Sequence, residues 1–275
     1  MTISDKSIIL VLTVTSALAV ILAPAAFAEE GPSEDQAIER DLIWNLLRAE
    51  DGVSEILAEI DRSLLEASLA LSLTGIKGPE ARKVLEELGR MGPFVVDCIT
   101  IDLHGTILEV APEEYSFVLG ERIDHQEHIV RLLSTRRPVG LAYIESVEGF
   151  YAMDFASPIF DEEGRLIGAV TVLVNSTVLF GEALAPHQPG GGAEIWAMTP
   201  SGTIIYDSDF DQIGRNTFTD PLFAELSDLL AVAERVKMER SGKGGYRIFD
   251  TGREVYWTTV DHQGSEMRLL LSVDL

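Results

Sequence analysis

Apolar residues early in the chain recur with the period of an α-helix: Ile38, Leu42, Leu46, Val53, Ile56, Leu57, Ile60, Leu64 and Leu71. Ser33-x-x-Gln36 forms a capping box at the start and Gly75 offers a C-terminal cap at the end, so the pattern predicts one long helix. Asp51-Gly52 is the one place where it could be interrupted. Gly78-Pro79 opens a shorter helix that stops at Gly92-Pro93, which makes residues 33–92 a helical spine. Beyond Phe94 the pattern becomes β-rich. The chain reads strand, strand, helix, then strands over 139–146, 150–159 and 166–174, with the helix starting at Asp124 through a second capping box, Asp124-x-x-Glu127. His187-Gln-Pro-Gly-Gly-Gly192 is a cluster of helix and strand breakers, and residues 182–192 read as a linker. After it come another hairpin, a helix opening at Asp220-Pro221, and strands over 245–249, 254–259 and 267–273.

The two β-rich stretches repeat one another. Gly105-Thr106-Ile107 returns as Gly202-Thr203-Ile204, each within a strand, turn, strand pattern in which glycine supplies the positive φ of a tight hairpin. Each hairpin is followed by a second glycine with arginine close behind, Gly120-Glu-Arg122 and Gly214-Arg215. Matching sequels in the same order point to a duplicated module, 94–181 and 193–275.

Composition narrows the function. A formal charge of −24 removes nucleic acid as a partner, since phosphate neutralisation needs clustered base. Lys6, the apolar run Ile8 to Phe27 and the small-x-small site Ala26-Phe27-Ala28 read as a secretory signal over residues 1–28, or an N-terminal anchor where uncleaved. Either outcome places the folded part outside the cytoplasm, secreted or held at the cell surface. Cys98 is the only cysteine and lies in an apolar run, which reads as a packed thiol. No Gly-x-Ser-x-Gly elbow, phosphate loop or dinucleotide fingerprint occurs, so an enzyme is not expected, nor a cofactor. His125 and His128 around Glu127 lack a third ligand set, so no metal is expected. Asn175-Ser-Thr177 is a glycosylation sequon, expected to face solvent at a strand end.

Longer motifs carry a family resemblance. They are Pro112-x-x-Tyr115 with Gly120, Ala142-Tyr143-Ile144-Glu145, and Ser157-Pro158-Ile159-Phe160-Asp161 through Gly168 in the first module. The second module adds Ile195-Trp196 through Tyr206-Asp207, Asp211-x-Ile213-Gly214 and Tyr256-Trp257-Thr258-Thr259. On these the chain resembles a double Cache extracytoplasmic sensor, and is similar to the Cache proteins of methanogenic archaea. The resemblance implies an α+β fold: a long N-terminal helix followed by two PAS-like modules, each a mainly antiparallel sheet flanked by helices. It also implies a small metabolite bound in a cup of the first, membrane-distal module. The amino-acid-binding pattern of the family is only partly present. Gln126, His128 and Ile129 stand at its Arg-x-Trp-Tyr cluster, Tyr143 and Glu145 at its Tyr-x-Asp pair, and Leu173 at its last acid. An α-amino acid grip is therefore not expected.

The candidate ligand-binding residues are Tyr115, Arg122, His128, Arg137, Tyr143, Glu145 and Asp154. Tyr143 and Glu145 are two apart on a strand and share a face, which the resemblance turns toward the cup. Asp154, with Ala152 and Ala156 on its own face, suits a recess that fixes an amine or hydroxyl. Arg122, Arg131, Arg136 and Arg137 are dense for an acidic chain, and one pointing inward would hold a carboxylate or phosphate. Tyr115 is placed at the lip. The expected ligand is a small organic acid or amine, bound by a sensory module without its own transmitter, acting as a stand-alone sensor or as the ligand-presenting partner of a separate membrane receptor. The competing reading is an envelope scaffold with no ligand, dimerising through the apolar stripe from Leu42 to Leu71.

Overall fold

The computed structural model describes residues 33–145, 151–187, 192–248 and 250–275. The signal or anchor at 1–28, the loop ends at 146 and 150, most of the glycine cluster before 192 and Phe249 lie outside the described residues. The capping box forms as the sequence requires: the Gln36 N–H donates to Ser33 Oγ at 3.3 Å and the Ser33 N–H to Gln36 Oε1 at 3.0 Å. Helix α1 then runs unbroken over Glu34–Thr74 and closes on Gly75, whose N–H donates to the Leu71 carbonyl and whose φ of 87° turns the following chain out of the helix. No helix among the described residues is long and apolar enough to cross a membrane.

Asp51-Gly52 does not interrupt α1. Gly52 is there because another helix comes close: a Cβ on it would stand 2.7 Å from the Ala183 carbonyl oxygen. On helix propensity alone, Gly52→Ala should stabilise by about 1 kcal/mol. The close approach reverses that sign, and thermal melting should show a lower Tm for Gly52→Ala; a rise would show that the two helices can separate freely.

Helix α2 (Pro79–Leu88) is followed by strands β1 (Val95–Ile101) and β2 (Ile107–Ala111), helix α3 (Glu127–Thr135), strands β3 (Val139–Glu145), β4 (Tyr151–Phe160) and β5 (Leu166–Val174), and helix α4 (Ser176–Leu184). The second half gives β6 (Glu194–Met198), β7 (Ile204–Tyr206), α5 (Ser227–Met238), β8 (Gly242–Ile248), β9 (Thr251–His262) and β10 (Ser265–Asp274). The sheets have one topology twice, β2-β1-β5-β4-β3 and β7-β6-β10-β9-β8, with every described pairing antiparallel.

The duplicated hairpins repeat bond for bond. Gly105 and Gly202 both have positive φ, and their carbonyls accept from Ile123 and Thr217, each at 2.9 Å. Gly120 and Gly214, both at φ 87°, donate to the Ile107 and Ile204 carbonyls at 2.9 and 2.8 Å. A side-chain oxygen pins each turn, Asp102 Oδ1 accepting from the His104 and Thr106 N–H groups and Thr199 Oγ1 from the Thr203 N–H.

Three element expectations change. Helix α3 starts at Glu127, with Gln126 as its cap; Asp124 instead pairs with Arg122, and the turn made by the Gln126 N–H on the Ile123 carbonyl precedes the helix. Asp220-Pro221 opens a turn, Asp220 Oδ1 accepting from the Leu222 N–H, and α5 begins only at Ser227. Residues 182–184, expected in the linker, are the last turn of α4, and Asn175 is its cap, accepting from the Val178 N–H.

One core joins α1 to both sheets. The stripe Leu46, Val53, Leu57, Ile60, Leu64 and Leu71 of α1 is buried against Met153 and Phe155 of the first sheet and Tyr256, Val260 and Leu269 of the second. The hydrophobic effect is spent on the chain's own two sheets, so the stripe is not a free dimerisation face. A different row, Leu65, Leu69 and Leu73, is exposed at a spacing of four.

Candidate functional site

The far side of the first sheet carries a separate core of Ile99, Ile101, Ile107, Val110, Ile129, Leu132 and Val139, with Tyr115 packed against it. On this face, strand alternation and register bring two acids into one row. Asp97 of β1 and Asp154 of β4 both pair with Leu173 of β5, from opposite sides. Their backbones are two strand spacings, about 10 Å, apart. Both residues are buried.

Helix α3 lays His128 over this row. Its Nε2 lies 2.7 Å from Asp154 Oδ2, with His128 1% and Asp154 4% exposed. His128 Nδ1 and Asp154 Oδ1 are buried and have no hydrogen-bond partner among the described residues. Whichever ring nitrogen carries the proton, the pair keeps one imidazole nitrogen and one carboxylate oxygen for a further polar group. The Gln126 Oε1, one residue before α3, is buried in the same condition.

The other candidates separate from this cluster. Tyr143 follows a register shift between Leu141 and Ile144, where β3 takes an extra residue against β4. Counted by twos, Tyr143 would share the face of Val139; the bulge turns it over. It packs with the α1 core, and a Cβ on Gly214 of the second module would meet its hydroxyl at 2.8 Å. Glu145 pairs in the backbone with Tyr151, and its side chain lies outside the described residues. Arg122 is exposed and paired with Asp124. Arg137 is exposed beyond the left-handed Arg136 that ends α3. Arg131 donates to the carbonyls of Gly140 at 3.0 Å and Gln263 at 3.3 Å, bracing α3 against the β9–β10 turn. No described arginine therefore stands beside the His128–Asp154 pair to hold a carboxylate.

Asp97 is a member of this buried row that sequence reasoning misses. The signal is present, since it shares the parity of Ile99 and Ile101, but it sits beside Cys98 in a run that reads as wholly buried. Cys98 itself faces the α1 core, and burial pushes its thiol well up, with Asp97 and Asp154 adding to the rise. That agrees with a packed thiol. Among the described residues no group of three or more His, Cys, Asp or Glu could hold a metal ion.

Residues 55–176 match the family model for the HK/GC/Chemotaxis protein-like sensor domain. An extracellular ligand-binding receptor from Desulfohalobium retbaense DSM5692 is 34% identical over 83% of this chain, with a TM-score of 0.73; the chain spans 39% of that receptor's length. The ligand-binding domain of the Pseudomonas aeruginosa PAO1 amino acid chemoreceptor PctB, in complex with L-Arg, is 15% identical (TM-score 0.58), over 86% of this chain and 94% of that one. The ligand-binding domain of the Pseudomonas fluorescens chemoreceptor CtaA, in complex with L-serine, is 12% identical (TM-score 0.60), over 86% and 98%. No curated protein matches the sequence. With one long helix, two sheets of identical order and hairpins that repeat bond for bond, the chain has the double Cache fold of extracellular sensor domains.

Proposed function

We propose that the chain is an extracytoplasmic sensory domain that binds a small amine-bearing or hydroxyl-rich metabolite against the first sheet, between Asp97, Asp154 and His128. The observation that carries this is the buried His128–Asp154 pair with one nitrogen and one oxygen still to satisfy. Leaving such groups unpaired costs about 1–3 kcal/mol each, so a site that keeps them is built for a polar guest. A buried carboxylate at Asp154 with no described arginine beside it favours an amine over the organic acid that the basic segment suggested. In this division residues 33–92 are the spine, 94–181 the membrane-distal module and 193–275 the second. Export by residues 1–28 and readout by a separate membrane receptor belong to the same proposal. The scaffold reading loses support, because the Leu42–Leu71 stripe is consumed by the chain's own core.

A thermal-shift screen of amines, polyols and organic acids tests the chemistry. A true ligand at a hundred times its Kd should add about 2.7 kcal/mol. Stabilisation by acids alone would overturn the assignment.

A further inference from the structure

The second sheet has a cavity of its own, of about 580 Å³, on the face that carries Trp196. Pairing registers tie it to the first. Ile101 pairs with Ile107 as Met198 pairs with Ile204 beside the duplicated hairpins, so Trp196 takes the place of Ile99 and Glu194 that of Asp97. The cavity therefore lies over the same face of the repeated fold.

Its chemistry differs from that of the first module. Trp196, Ile204, Leu229, Tyr246 and Ile248 give it apolar walls, while Glu194, Asp207 and Asp209 supply acid. Arg253, the one cation among the lining residues, is already engaged, its Nε donating to Asp274 at 2.7 Å and its Nη1 lying 3.3 Å from Glu194. Asp207 makes no ion pair among the described residues and accepts only from the Asp209 N–H at 2.9 Å. Burial pushes its carboxyl up, and the nearby Glu194 and Asp209 charges add to the rise, while the Asp209 N–H and the Arg253 charge hold it back. A second sign is independent of the acids: Thr217, lining the cavity and 3% exposed, has an Oγ1 with no partner among the described residues.

We infer that this cavity is a second small-molecule site, separate from the first-sheet site, and that it takes a hydrophobic amine. A ring or short alkyl chain would lie against Trp196 and Leu229, with its ammonium at Asp207. Volume and lining match the usual small-molecule pocket, a mostly apolar cleft with a few placed polar groups.

The test is calorimetric titration of the full chain with 2-phenylethylamine, and with phenylacetate as the anionic counterpart. The amine should bind and phenylacetate should not. Asp207→Asn should weaken the amine at least about tenfold, the effect of losing one favourable charge contact. Leu229→Trp, which fills the cavity and leaves the acids in place, should abolish binding while the protein still melts cooperatively. Asp154→Asn in the first sheet should leave it unchanged. No binding, equal binding of phenylacetate, or a loss with Asp154→Asn but not Asp207→Asn would each overturn the inference. The last result would place the amine in the first module, so the fates of the two sites are read separately.

Discussion

Leu57→Ala should lower the unfolding free energy by about 3 kcal/mol, within the range for emptying a buried leucine site. For a chain of this size each kcal/mol moves Tm by about 2–4 °C, so the loss should be plain in a melting curve. The location matters more than the amount. Leu57 is 1% exposed in the core that α1 shares with Phe155 of the first sheet and Leu269 of the second. Neither sheet can shed its covering helix without exposing part of the other's. Bonds between the modules point the same way: Arg131 of α3 reaches the Gln263 carbonyl, the Gln263 side chain reaches Asp61 of α1, and Ser265 donates to the Gly140 carbonyl. Scanning calorimetry should therefore show one transition, shifted as a whole. Two resolved transitions of which only one moves would show that the sheets unfold as independent units and that α1 serves one of them.

That shared helix was legible in the sequence because its signals are local. A capping box, a 3.6-residue apolar period and a terminal glycine each act within a few residues, and all three hold in the structure. The duplication was legible for the same reason: a tight hairpin needs a positive φ, and Gly105 and Gly202 announce it. The site was harder to read because it depends on register. Counting by twos along β3 assumes an unbroken pleat, and one extra residue between Leu141 and Ile144 turns Tyr143 toward α1. Asp124 and Asp220 show a related limit. An aspartate beside a turn can cap a helix or close the turn itself, and here both acids serve turns or ion pairs, with helices following several residues later. His128 and Asp154 stand in separate segments and read as independent candidates. That they touch depends on how α3 is laid across the sheet, which no local signal specifies.

Asp154→Asn should separate the two services this residue performs. Asparagine has nearly the same shape and can still accept from His128 Nε2–H, so the fold should hold, with a loss below about 1 kcal/mol. The charge, however, is gone, and one acceptor oxygen becomes an NH2 donor. A cationic ligand of the first module should bind at least about tenfold more weakly, since a charge-assisted hydrogen bond contributes more than about 1.4 kcal/mol. Asp154→Ala does more damage to the fold: it leaves a buried imidazole nitrogen without its partner, at about 1–3 kcal/mol. His128→Ala should cost at least as much, because the group then stranded is a carboxylate. Stability should thus fall in the order Asp154→Asn, Asp154→Ala, His128→Ala, whereas ligand affinity should collapse already at the first of the three. The double variant, His128→Ala with Asp154→Ala, should recover part of the summed stability loss, the coupling of about 0.5–3 kcal/mol expected of residues in contact. If Asp154→Asn bound every first-module ligand as tightly as the parent while the stability order held, Asp154 would be a structural acid only, and the guest would have to be held by Asp97 without it.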